Sequence, residues 1–176
     1  MSGGTEQMIR INSPEDAPAL IAANEARSAA GRPPFVIDTC VAVKWYIPEP
    51  LSTEARRYMG TGIDRHAPDY LRIEGASVAL KRTRRQPDNP DRLTTEQARM
   101  VIEALPLAPI QYQPSGPLVD LAFALAAQVG TSLYDGLFLA LALQMKGRLV
   151  TADRKFYDKL AASPYAPLAL WVEQEP

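Results

Sequence analysis

An α/β fold built on a parallel sheet is what this sequence predicts, and three observations predict it. Short apolar runs, FVI at 35–37, RLVT at 148–151 and LALWV at 168–172, alternate with longer segments of helical period. The intervals between those runs are long enough for the crossover helices that parallel strands require. A chain of 176 residues with 47% hydrophobic content can bury one proper core and is short for two ordinary domains.

Taken in order, residues 1–34 are poor in large apolar side chains and rich in Ala, Ser, Gly and Pro, and they form an extension to a domain spanning 35–176. Ser13 followed by Pro14, Glu15 and Asp16 is a helix start, and Gly31 before Pro33 and Pro34 is a stop, so a helix over about 14 to 30 is expected. Its large apolar residues are only Leu20 and Ile21. FVI is a buried strand, and VAVKWYI (41–47) a helix ended by Pro48 and Pro50. A helix over about 52 to 59 follows. A long one starts near Pro68, with Leu71, Gly75, Val78 and Arg82 toward one face and basic residues at its end. His66 falls in the loop before it, and QPDNPDR (86–92) is a second loop.

Thr94 and Gln97 form a capping-box pattern for a helix that Pro106 stops near Leu105, and a weak strand lies near 107–112. Two helices, about 117–129 and 134–146, end at Gly130 and Gly147. The strand RLVT, a helix over about 154–161 and a last strand at LALWV complete the domain.

Composition narrows the function classes. Nineteen basic against twenty acidic residues leave a formal charge of −1, so no global field draws the chain to nucleic acid or membrane. One cysteine, Cys40, and one histidine, His66, can supply neither an intramolecular disulfide nor a zinc site. Any metal must be held by oxygen. The N-terminus lacks the apolar stretch of a secretory signal, and no uncharged apolar run reaches the ~18 residues of a membrane span. A cytoplasmic protein without membrane contact is expected.

Most of the acids sit in polar surroundings and read as solvated charge. Asp38, directly after the strand FVI, and Asp153, two residues after RLVT, belong to the carboxyl ends of strands, where open α/β sheets form their ligand crevice. Asp135 opens the apolar segment GLFLALAL, a position equally natural for a helix-capping acid. Glu74 stands among the small or apolar Ile73, Gly75, Ala76 and Val78, and by itself it reads as a rim residue. Facing one cleft together, the four would repel one another and protonate unless a cation neutralised them. Mg2+ or Mn2+ suits such a set, because these hard ions take oxygen ligands and keep waters. Their chemistry at paired carboxylates is in-line phosphodiester hydrolysis.

VIDTCVAVKWYIPEP, IEGASVAL, TSLYDGLFLALAL and LVTADRKF resemble, in order, the four acidic motifs of the PIN domains, and more closely those of VapC-type toxins of bacterial toxin–antitoxin pairs. The resemblance covers about 35–172. It implies a three-layer α/β/α domain around a central parallel sheet, and it makes Asp38, Glu74, Asp135 and Asp153 the metal-binding, catalytic carboxylates. By the same resemblance the hydroxyls of Thr151 and Ser132 would support them. It further implies an endoribonuclease using Mg2+ or Mn2+, an antitoxin partner and a homodimer. Cys40 departs from a common serine and Phe138 from a common tyrosine. The first exchange offers a weaker hydrogen-bond donor, and neither touches an acid.

The basic run Lys81, Arg82, Arg84 and Arg85 is a solvated tail complementing its helix dipole or, with Arg154 and Lys155, a contact to an RNA backbone; Arg82, Arg85, Arg154 and Lys155 are the candidates. Trp45 and Tyr46 read as core or interface packing rather than base-stacking platforms. The competing function is a catalytically inactive PIN-fold module that binds RNA or protein. An aspartate-nucleophile phosphatase would need a second aspartate where Cys40 stands, and a phosphoryl-receiver domain would need paired acids near the first strand.

Overall fold

The computed structural model describes residues 33–176 together with Glu15, Pro18, Ile21 and Ala22. The helix expected over about 14 to 30 otherwise lies outside the described residues, although Ile21 is buried with the core. Five strands, β1 (Phe35–Ile37), β2 (Arg65–Pro68), β3 (Gln111–Gln113), β4 (Arg148–Thr151) and β5 (Ala169–Trp171), form one sheet in the order β3-β2-β1-β4-β5. Every pairing is parallel. The chain winds outward from β1 through β2 and β3 on one side, and from β4 to β5 on the other. The boundary between β1 and β4 is therefore the topological switch point, where ligand crevices form.

The helices flanking the sheet are α1 (Thr39–Ala42), α2 (Ser52–Arg57), α3 (Tyr70–Thr83), α4 (Thr95–Ala104), α5 (Val119–Val129), α6 (Leu133–Gln144) and α7 (Arg154–Ala161). Most expected elements are present. Thr94 and Gln97 make both bonds of the capping box at α4, and Gly130 closes α5 at φ 72°. Helix α6 is buried nearly all round, Gly136 through Leu143, which explains its uninterrupted apolar sequence. Among the described residues no single helix is long and apolar enough to cross a membrane.

Three expectations are corrected. His66 lies in a strand, not a loop: β2 carries the polar sequence RHAP, and His66 is buried there with its ring nitrogens 2.9 Å from Asp64 Oδ1 and 3.3 Å from Gln113 Nε2. The first helix begins at Thr39 rather than Val41, because Asp38 caps it, and it tightens to a 3-10 turn over Val43–Trp45. The residue that turns the chain after α6 is Lys146, at φ 51°, and not Gly147. Gly147 serves close approach, since a Cβ there would lie 2.5 Å from the carbonyl oxygen of Pro34.

Candidate active site

Asp38 is placed by the sheet. Its backbone N–H extends the β1–β4 ladder by donating to Val150 O at 3.1 Å, which sets its side chain beside Thr151 at the end of β4. Thr151 Oγ1 donates to Asp38 Oδ2 at 2.6 Å, Cys40 Sγ lies 3.1 Å from the same oxygen, and Cys40 N–H donates to Oδ1 at 3.3 Å. Only 7% of Asp38 is exposed. Burial pushes its carboxyl up to about 7; the hydrogen bonds from Thr151 and Cys40 oppose that rise, and the negative charges of Glu74 and Asp135 add to it.

Glu74 projects from the middle of α3, where Thr39 Oγ1 donates to its Oε2 at 2.6 Å. Burial raises its carboxyl too, against the Thr39 bond and with the charge of Asp135. Asp135 is the third residue of α6. Thr131 Oγ1 donates to its Oδ2 at 2.5 Å, and Ser132 N–H reaches the same oxygen at 3.3 Å. Asp153 caps α7, its Oδ1 accepting from Lys155 N at 2.8 Å and Phe156 N at 3.1 Å. The four acids, drawn from β1, α3, α6 and the β4–α7 junction, line one pocket with Thr39, Cys40, Glu49 and Arg82.

A pattern runs through these contacts. In Glu74, Asp135 and Asp153 one carboxylate oxygen takes every hydrogen bond, while Glu74 Oε1, Asp135 Oδ1 and Asp153 Oδ2 meet no donor among the described residues. One oxygen is anchored and the other is available. That donor chemistry fits a hard divalent cation. The spacing does not yet enclose one: among the described residues no three Asp, Glu, His or Cys side chains are gathered closely enough to hold an ion. A cation would have to draw the four inward.

Of the expected supporting hydroxyls, Thr151 meets a carboxylate directly, whereas Ser132 Oγ accepts the backbone N–H of Asp135 at 3.1 Å and holds the helix instead. Thr131 contacts that carboxylate. Thr39, Thr131 and Glu49 were not singled out from the sequence. The two threonines stand beside named residues, but Glu49, within IPEP, carries no periodic signal. It receives Lys44 Nζ at 2.7 Å and the guanidinium of Arg82, and all three side chains are about nine-tenths buried.

Arg82 is therefore no part of a solvated tail; it is an 8% exposed residue of the pocket wall. Arg85 pairs with Asp91 at 2.7 Å. Arg154 lies 3.9 Å over the Trp171 ring and 3.8 Å from Asp158, and Lys155 is exposed. Trp45 packs in the core with its indole N–H on Ala55 O at 2.8 Å, and Tyr46 is half-buried, as the packing reading expects.

Comparison with known proteins agrees with this fold. Over 130 residues, 73% of this chain and 95% of the relative, the sequence is 29% identical to Ribonuclease VapC3 of Pyrobaculum aerophilum. The fold matches the crystal structure of PAE2754 from the same organism with a TM-score of 0.58 at 16% identity, covering 80% of this chain and 85% of that one. The PIN domain family model matches residues 35–160, a span that holds the sheet's switch point and all four acids, and the chain belongs to the PIN-domain family.

Proposed function

We propose that this protein is a metal-dependent endoribonuclease hydrolysing RNA phosphodiester bonds, and the toxin of a toxin–antitoxin pair. The observation that carries the reading is the pocket. Four carboxylates from separate elements face it, one of them pushed up to about 7, and three keep an oxygen that meets no donor among the described residues. Asp38, Glu74, Asp135 and Asp153 would hold Mg2+ or Mn2+. Such an ion supplies, when bound, charge neutralisation for an in-line displacement at phosphorus. The protein's own contribution is orientation: Thr151, Cys40, Thr39 and Thr131 fix the rotamers of Asp38, Glu74 and Asp135, and the amides of α7 fix Asp153.

The similarity to Ribonuclease VapC3 supports RNA as the substrate. The VapC-type resemblance supports a cognate antitoxin and a homodimer. Val119 and Phe123, exposed four residues apart on α5, offer an apolar face for a protein partner. Arg85, Arg154 and Lys155 remain candidates for backbone contacts, and Arg82 for holding the pocket wall that RNA would meet.

The alternative, a module that binds without cutting, draws on one specific observation: Asp38, Asp135 and Asp153 all serve helix N-termini, which alone accounts for an acid. Asparagine separates the readings, because it caps about as well as aspartate but carries no charge. Asp38→Asn and Asp135→Asn should still melt cooperatively and bind RNA, and should lower Mn2+-dependent cleavage of total RNA by a hundredfold or more. No cleavage by the wild type with Mn2+ would favour the binding module, and unchanged cleavage in both variants would remove these two acids from the chemistry.

A further inference from the structure

Two tyrosines join the helices that carry Glu74 and Asp135. Tyr70 opens α3 one turn ahead of Glu74, and Tyr134 immediately precedes Asp135 in the first turn of α6. Their rings stack with centroids 4.7 Å apart and planes within 2° of parallel, an offset arrangement that aromatic quadrupoles favour.

The pair is asymmetric. Tyr70 is half-buried and fixed: its backbone N–H donates to Ser115 Oγ at 3.1 Å, and that hydroxyl is in turn bound to Asp69. Tyr134 is 50% exposed although Tyr70 stacks on one of its faces, so much of its remaining surface meets solvent. Among the described residues, Tyr134 is not one of the side chains packed against the core. Tyrosine is also a middling helix former, so propensity does not explain it.

We infer that Tyr134, backed by Tyr70, is a stacking platform for a nucleobase of the RNA strand, the base adjoining the phosphodiester that the acids address. The inference rests on the ribonuclease reading. Position supports it, since the ring is one residue from Asp135 and its partner one turn from Glu74. Charge supports it as well. An acidic pocket in a chain of net charge −1 gives an RNA backbone no general attraction. A neutral ring binds any base through its π face and releases no counterions in doing so, which supplies affinity without sequence preference and without salt dependence.

The test uses the full chain and a single-stranded RNA of mixed sequence containing 2-aminopurine, titrated in EDTA so that binding is read without cleavage. Wild type and Tyr134→Phe should bind it and quench its fluorescence. Tyr134→Ala and Tyr134→Leu should lose the quenching and bind about 5- to 150-fold more weakly, with an unchanged dependence on salt. Leucine keeps an apolar side chain on α6, so a loss shared by both variants is not a folding defect, and their melting curves check this. Equal affinity and quenching in all four proteins overturns the platform. So does a shift of the Tyr134 variants to a smaller sedimenting species with RNA affinity unchanged, which would assign the ring to a contact between copies. Cleavage with Mn2+ is scored separately on the wild type: cutting without an effect of Tyr134 sinks the platform alone, and neither binding nor cutting sinks the ribonuclease reading with it.

Discussion

Thr151 Oγ1 lies 2.6 Å from Asp38 Oδ2 and also accepts the backbone N–H of Asp153 at 3.0 Å, so a single hydroxyl at the end of β4 orients acids that follow two different strands. Thr151→Val keeps the shape and removes the hydroxyl. It leaves the Asp153 amide and the buried Asp38 carboxyl each short of a partner, and should cost about 1–3 kcal/mol in a denaturant titration. Cleavage should fall at least about tenfold, in line with typical losses on removing a residue that orients a ligand. Thr151→Ser should recover most of both.

The raised carboxyl of Asp38 gives the metal-free protein a pH signature. Its ordinary value is 3.8 and its folded value about 7, so between these limits the folded state keeps a proton that the unfolded chain releases. Stability therefore falls as pH rises from about 4 to about 7 and levels off above. The contribution of Asp38 should be roughly 1–4 kcal/mol at 1.36 kcal/mol per unit. Melting in EDTA should show this slope in wild type and a flatter curve in Asp38→Asn, which should be the more stable protein above pH 7. Added Mg2+ should displace the proton and reduce the difference. Parallel curves for the two proteins in EDTA would mean that Asp38 titrates like an exposed acid.

Glu49 holds two buried cations at once. Glu49→Ala strands Lys44 and Arg82, and should cost about 3–5 kcal/mol, the usual penalty for a buried charge left unpaired. Replacing Glu49 and Arg82 together with methionine should recover the share of that loss that belongs to Arg82, while Lys44 stays stranded. Urea midpoints of the single and double variants give the comparison.

Gly136 separates two helices. A Cβ at this position would sit 2.4 Å from the carbonyl oxygen of Ala122 on α5, a backbone atom that cannot swing aside. Gly136→Ala should push α6 away from α5 and cost about 1–3 kcal/mol. Since Asp135 is the preceding residue, cleavage should drop even at temperatures where the variant is fully folded. Gly75→Ala is the contrast. Its Cβ meets the Cδ1 end of the Leu105 side chain, which can rotate, so the melting temperature should shift less.

How legible all this was depends on what each element uses to declare itself. Strands β1 and β4 are buried on both faces and announce themselves as FVI and RLVT, so Asp38 and Asp153 follow directly from the sequence. Strand β2 does not. RHAP is held by pairing with β1 and β3 and by polar partners for His66, which are tertiary facts without a local pattern. Capping explains Asp135 and Asp153 locally as well as any functional role does, and the pocket they share with Glu74 shows only when four distant segments are brought together. Arg82 misled for a related reason. As one of several basic residues near a helix end it looks solvated, and its pairing with Glu49, thirty-three positions earlier, shows only in the fold.

The central place of β1 in the sheet has a temporal side. Its neighbour β4 is completed only at Thr151, 113 positions after Asp38, and no other element brings Thr151 to that carboxyl. During synthesis, the chain must emerge through Thr151 before the pocket can close. A nascent or truncated product that stops short of β4 carries Asp38 and Glu74 but lacks Thr151, Asp153 and the pocket that they complete.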